Sequence, residues 1–401
     1  MLKILSCAGF GNTGSSIVTD FFSEFSCIKV VGGSSFEFGL LHEPDGIRDL
    51  ENALVEGNRL KTDLAIKRFI KLVKNLNENN PSGPNYRDYF NNHFLEYTQD
   101  YLRDLNVIRW SNGWWHRIYD EVDRKGIKEK IRFKVDSFNF SKKVNSKNYS
   151  LYETNSWKPS YVEYDTQYFC KVEKADFKNK TKKYLQRLFL ELANGDEYLL
   201  FDQLFPSNVD EEYLGYFDFA KVILVDRDPA DLYFMNKVFW GSGYIPSEDV
   251  NTFIQWYKET RSNVYRSDNI LKINFEDMIF KTDETQRLLC DFIGIDIAQH
   301  DMPNTYLFLD KSITNTQVDK RNCLTSKVNA EKIDSDLQLI RQELKKYLYL
   351  FPNLIISDNE KKYQEMIIEN VYSEVKQKKW SDVFVCIYVI FRSLLIKIIR
   401  R

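Results

Sequence analysis

Histidine is scarce, with four in 401 residues, and cysteine hardly commoner at six. None of Cys7, Cys27, Cys170, Cys290, Cys323 and Cys386 stands in a Cys-x-x-Cys pair. The spacing therefore gives neither a structural zinc site nor a disulfide framework, and buried free thiols are expected. An excess of one charge is missing too: 56 Lys and Arg against 58 Asp and Glu leave a formal charge of −2, which gives no electrostatic footprint for nucleic acid. No internal repeat or long low-complexity stretch is visible. A single Lys precedes Ile4 and Leu5, and the chain reaches Gly9 within a few residues. That stretch is too short for the apolar core of a secretory signal, so a reducing, cytoplasmic setting is expected. The Asn-x-Ser/Thr triplets at Asn139, Asn148 and Asn179 then carry no glycosylation meaning.

The hydrophobic fraction of 43% and charged fraction of 28% are those of a globular chain. The length suits one large α/β domain with insertions, or two lobes. Residues 2–7 read as a short buried strand, because Leu2, Ile4 and Leu5 run straight into a Gly-rich turn. Ile17, Val18, Phe21, Phe22 and Phe25 recur at helical spacing, with Ser15 or Ser16 near the first turn. Residues 27–31 form the next strand, closed by Gly32 and Gly33. A strand, helix, strand unit with right-handed crossover is expected.

Residues 49–105 read as mostly helical, broken at 77–86 by Asn, Pro, Ser and Gly. Residues 107–195 read as an insertion facing the substrate. It would open with an aromatic helix (Trp110, Trp114, Trp115, Ile118, Tyr119), continue through alternating Ile131, Phe133 and Val135, and end in a polar, Tyr-rich stretch. Residues 198–201 and 221–225 are short apolar runs of the kind found in sheets, and residues 270–275 are a further candidate strand. After residue 329 the pattern is helical, interrupted at Pro352. The expected fold is α/β: a P-loop-type parallel sheet flanked by helices over residues 1–328, and a helical extension over 329–401.

Gly9, Phe10, Gly11, Asn12, Thr13, Gly14, Ser15 and Ser16 have the Gly-x-x-x-x-Gly spacing of a phosphate-binding loop between a first strand and a first helix. Glycines let the backbone N–H groups turn inward into an anion nest, and the helix N-terminus adds its positive dipole end. A nucleoside triphosphatase would place Lys after Gly14, where it reaches the outer phosphates; here that position is Ser15. Chemistry on a γ-phosphate is disfavoured. A donor with fewer charges could be held by backbone N–H groups and the hydroxyls of Thr13, Ser15 and Ser16.

This strand, Thr-Gly-Ser-Ser loop and helix resemble the 5′-phosphosulfate loop of the sulfotransferases that use 3′-phosphoadenosine-5′-phosphosulfate (PAPS). Two further stretches, in order, resemble the same family. The strand 221–226 runs into Arg227, Asp228, Pro229, Ala230 and Asp231, similar to a family motif whose Arg binds the donor's 3′-phosphate; Arg227 is the matching position. Ile273, Asn274, Phe275, Glu276, Asp277 and Met278, followed by Phe292, Ile293 and Gly294, are similar to the family's Tyr-Glu-Asp-Leu strand and the helix that ends in Phe-Leu-Gly. The chain departs at two places. Asn12 stands where many members carry a cation, and it can offer a hydrogen bond but no charge. Met235, next to Asn236, stands where the family has a Ser on the 3′-phosphate.

The resemblance implies PAPS as co-substrate, no metal, and a base for the acceptor hydroxyl. Glu37 resembles the Glu that serves as base in the glycosaminoglycan-type branch, and His42 is the second candidate. Asp202, at a strand end, could orient the acceptor. Lys320, Arg321 and Lys327 lie where the family often has a basic loop over the nucleotide, although solvated charge is the favoured reading of them. Arg48 follows a turn and could reach the donor. The donor site implied is Gly11, Asn12, Thr13, Gly14, Ser15, Ser16, Arg227 and Asn236.

Residues 383–391 are consecutively apolar, and Arg392, Lys397, Arg400 and Arg401 follow. The charges interrupt a spanning helix but suit an interfacial one on an anionic membrane surface; a last helix packed on the domain is the other reading. The acceptor expected is a carbohydrate, including a lipid-linked glycan precursor of the bacterial surface. Two other functions stay open. One is a phosphotransferase or nucleotidase using ATP, with Asp226 orienting magnesium. The other is a non-catalytic nucleotide-binding protein.

Overall fold

A computed structural model describes residues 2–31, 36–80, 84–116, 162–240, 243–262, 265–321 and 330–354. The strands among these residues are β1 (Lys3–Gly9), β2 (Ile28–Val31), β3 (Ile108–His116), β4 (Val162–Phe169), β5 (Tyr198–Asp202), β6 (Ala220–Asp226) and β7 (Ile270–Asn274). Five of them form one sheet in the order β2-β5-β1-β6-β7, and every neighbouring pair is parallel. The expected α/β architecture is what the chain builds.

Contacts divide the chain into two units. One runs over Met1–Phe38 and from Ala193 onward; the other is Gly39–Leu192. The first unit carries the parallel sheet. Its short apolar runs become strands because helices cover them, and β5 is buried at all five positions. Leu5 and Cys7 of β1 join one core cluster with Ile17, Val18, Phe21, Phe22 and Phe25, on and just after the helix Ser16–Phe22. Burying each such Phe stabilises by about 1.5–3 kcal/mol. A second cluster links the helices Pro229–Met235, Val250–Ser262 and Ala330–Glu343 through Leu232, Tyr233, Phe253, Tyr257, Leu337 and Ile340. The described part of the expected C-terminal extension is thus packed within this unit. No described helix is long and apolar enough to cross a membrane; the apolar run at 383–391 lies outside the described residues.

The second unit starts at residue 39, well before the insertion expected from 107. Its helices Ile47–Glu56, Arg59–Glu78 and Phe94–Asp104 share it with the helix Lys174–Ala193. The reason is packing across sequence distance. Tyr101 stacks on Tyr184 with ring centroids 4.5 Å apart, while Tyr101 pairs with the Thr181 hydroxyl at 2.7 Å and Tyr184 with that of Thr98 at 2.6 Å. Asp63 accepts the Tyr168 N–H at 2.8 Å, tying a helix to β4.

The aromatic helix expected at Trp110, Trp114 and Trp115 is instead strand β3, paired antiparallel with β4 and bulged between Trp110 and Gly113. Aromatic residues favour a pleated surface, and Gly113 in mid-segment weakens a helix. Ile118, Tyr119, Ile131, Phe133 and Val135 lie outside the described residues.

Candidate functional site

β1 sits at the centre of the sheet. The chain leaves it for β2 on one side and later crosses from β5 to β6 on the other. The order therefore reverses at the end of β1, which is where open α/β sheets place ligands. The residues there are the Gly9 to Ser16 loop. Gly11, Asn12 and Gly14 have φ of 91°, 53° and 83°, backbone hands that form anion nests, with Asn tolerated in the left-handed region. The Thr13 hydroxyl closes the loop by donating to Val225 O at 2.7 Å and accepting from Phe10 N at 3.2 Å. Gly9 is required by close approach, since a side-chain carbon there would collide with Thr13 Oγ1. Ser15 is the N-cap but makes no side-chain cap bond. Its hydroxyl accepts from Gln203 Nε2 at 2.9 Å and lies 3.5 Å from Asp202 Oδ1. Ser16 is exposed at the first helical turn.

Asn12 donates from Nδ2 to Asn236 Oδ1 at 3.2 Å. Asn236 is wholly buried and donates in turn to Ile245 O at 3.2 Å and Ser247 Oγ at 2.6 Å. The loop is thereby fastened to the π-helical turn Asn236–Trp240 and the segment beyond it. Arg227, expected on a 3′-phosphate, is 2% exposed. It donates to Asn315 O and lies 5.1 Å from the Phe275 ring. Burial lowers its pKa against the pull of Asp231, Glu276 and Asp228.

Those three acids order the chain around Arg227. Asp228 caps the helix Pro229–Met235 through the N–H groups of Ala230 and Asp231, and also accepts Tyr349 N at 2.9 Å. Asp231 accepts the N–H groups of Gln317 and Val318 at 2.7 and 2.8 Å, and Glu276 accepts Asp228 N at 2.9 Å. Burial, then repulsion from Asp228, pushes Asp231 up to about 7; burial pushes Glu276 up to about 8. Both folded values lie above the unfolded carboxylate range near ~4. The stability they contribute is present in acid and is lost as pH rises through 7 and 8. The thermal midpoint should therefore fall between pH 5 and pH 9, and Asp231→Asn should flatten that fall. An identical slope in the variant would remove Asp231 from the account.

Asp226 ends β6, where a magnesium-orienting carboxylate was one expectation. It is instead held by Arg261, with Nη2 at 2.9 Å, and by Lys272 Nζ at 2.8 Å. Burial works against its charge, but the two cations outweigh it and keep the carboxyl below its usual range. The Arg261 guanidinium also lies 3.6 Å from the Tyr257 ring and 4.3 Å from that of Phe10 in the loop.

Asp202 is 8% exposed at the end of β5 and also accepts from Cys7 Sγ at 3.3 Å. Burial raises its pKa, opposed by hydrogen bonds from Cys7, Ser15 and Gln203. Asp20 is pushed up to about 6 by partial burial and by the carboxylates of Asp202 and Glu24. Since Asp20 reaches solvent, like-charge repulsion is its firmer cause. Glu37 is exposed after β2. His42 belongs to the second unit, just after the helical turn Gly39–Leu41. Arg48, in the same unit, pairs with the buried Glu51 at 2.6 Å. Arg321 is buried and donates to Thr316 O at 2.8 Å, and Lys327 lies outside the described residues. Lys320 lines a cavity of about 150 Å³ with Asp231, Gln317, Arg341, Tyr349 and Phe351, away from the loop. Sequence reasoning missed Gln203, Arg261 and Lys272. Gln203 follows directly on the flagged Asp202, whereas the partners of Asp226 carry no local signal.

No family model and no curated protein matches the chain. Among solved structures it is similar to the sulfotransferase domain from the curacin biosynthetic pathway, at 13% identity over 88% of this chain and 99% of that one, with a TM-score of 0.36. It is similar to the sulfotransferase domain of the Synechococcus PCC 7002 olefin synthase, at 13% identity over 88% of this chain and 95% of that one, TM-score 0.33. It is also similar to sulfotransferase STF9 from Mycobacterium avium, at 12% identity over 87% and 78%, TM-score 0.33. At such scores the likeness carries no argument, and the functional reading rests on this chain's own residues.

Proposed function

We propose that the chain transfers a sulfuryl group from PAPS to a hydroxyl of a carbohydrate. The observation that carries this reading is the left-handed backbone of Gly11, Asn12 and Gly14 after β1, a conformation suited to an anion nest, with the Ser15 hydroxyl where a triphosphate loop needs a cation. Asp226 supports it, because a carboxylate already held by Arg261 and Lys272 is committed away from magnesium. The N–H groups of the loop and Ser16 would hold the phosphosulfate and Arg227 would serve the 3′-phosphate side, while the wholly buried Asn236 would act through Asn12 by holding the loop in place. Sulfuryl transfer then needs in-line placement of the acceptor and a base for its proton. Glu37 is the base that the family resemblance offers.

A non-catalytic nucleotide-binding role is the second reading, favoured by the Asn12 amide tied to Asn236 in place of a loop cation. Calorimetric titration with 3′,5′-adenosine bisphosphate, against ATP with magnesium, tests both. Selective bisphosphate binding is expected, weakened at least about tenfold, or 1.4 kcal/mol, in Arg227→Ala that still melts cooperatively. Preference for magnesium-ATP would sink sulfuryl transfer; bisphosphate binding without turnover of PAPS would leave the non-catalytic reading.

A further inference from the structure

We propose that Asp202 is the general base that takes the acceptor proton, an assignment that rests on the sulfuryl-transfer reading. β5 lies directly beside β1, with Asp202 in register with Cys7 two residues before the loop opens. β1 and the loop hold its carboxylate at the loop edge: Cys7 Sγ donates at 3.3 Å and Ser15 Oγ lies at 3.5 Å, while the neighbouring Gln203 fixes that hydroxyl through Nε2 at 2.9 Å. Gln203 keeps its place through a left-handed backbone, φ 56°, and an N–H bond to Cys7 O at 2.8 Å. A non-glycine residue in that region costs free energy, and such strain gathers at sites where geometry must be exact to be useful.

Glu37 offers less. It follows β2, which lies on the far side of β5 from β1, and it is exposed. Asp202 lies 3.5 Å from Ser15 Oγ of the loop and is drier than Glu37. Its burial favours the protonated form, so once ionised it is a stronger base than a solvated carboxylate. In the step assigned to it, the acceptor O–H gives its proton to an Asp202 oxygen while the acceptor oxygen forms a bond to sulfur. The bond from sulfur to the 5′-phosphate oxygen breaks, and adenosine bisphosphate leaves with the electron pair. No other co-reactant is needed.

The placement has a consequence that does not require the natural acceptor. A carboxylate beside a bound anion repels it, and the isosteric amide does not. Calorimetric titration of Asp202→Asn with 3′,5′-adenosine bisphosphate should show binding tightened about tenfold, while release of sulfate from PAPS to water falls by about 100-fold or more. Asp202→Glu keeps the charge and should bind the bisphosphate as the unmodified protein does, retaining part of the release. Binding no tighter in Asp202→Asn, or sulfate release undiminished, would overturn the assignment. Loss of release in Glu37→Gln, with Asp202→Asn unaffected, would move the base to Glu37. Failure of the unmodified protein to bind bisphosphate or turn over PAPS is a different result, which removes the sulfuryl-transfer reading itself.

Discussion

Arg261→Ala should destabilise the folded chain by about 3–5 kcal/mol, the range for breaking one side of a buried ion pair. Arg261 and Asp226 side chains are only 1% and 4% exposed. Removing the guanidinium leaves a buried carboxylate whose remaining cation, Lys272, is 39% exposed and shared with solvent. The loss is not only of charge. Arg261 stacks on Tyr257 and Phe10, so its truncation also opens a void beneath the first residue after β1. Urea unfolding measures the cost, and the double variant Arg261→Ala, Asp226→Asn apportions it. If the stranded carboxylate dominates, the second substitution should recover about half or more of the loss. A cost below about 1 kcal/mol would mean that Lys272 and water satisfy Asp226 unaided.

The sequence made the sheet legible for a physical reason. β1, β5 and β6 are buried, so Leu200 and Ile223 sit in uninterrupted apolar runs, and Ile4 and Leu5 in a short apolar stretch that ends in the glycine loop. The loop was legible because glycine spacing is dictated by backbone hand, and Gly11 and Gly14 do have positive φ. The second unit was not, because its integrity depends on pairs such as Tyr101 with Tyr184, which local periodicity cannot see. The segment at Trp110 shows the same limit: aromatic residues at helical spacing became a strand once β4 supplied a partner. Within the site, the Arg227 motif was readable as a pattern, but its burial among Asp228, Asp231 and Glu276 was not. Those carboxylates bind backbone N–H groups from segments far along the chain, and only the folded chain brings the segments together.

Gly14→Ala should abolish useful donor binding, with a loss of about 100-fold or more in bisphosphate affinity, equivalent to about 2.7 kcal/mol. Two effects combine. Gly14 has φ 83°, which costs an L-residue roughly 1–2 kcal/mol. A side-chain carbon there would also stand 2.6 Å and 3.0 Å from carbons of the Phe275 ring. That ring is 5% exposed, opens the helix Phe275–Phe280, and lies under the Arg227 guanidinium. It has little room to yield, and moving it would disturb the phosphate loop and the Arg227 cluster together. Gly11→Ala is the informative contrast, because φ there is 91° but the nearest atom, on Ile245, is 3.7 Å away. It should show the backbone strain alone, a loss of about tenfold. Equal losses at the two positions would mean that backbone hand, and not the packing of Phe275, is what Gly14 protects. Unchanged binding in Gly14→Ala would remove the loop from the donor site.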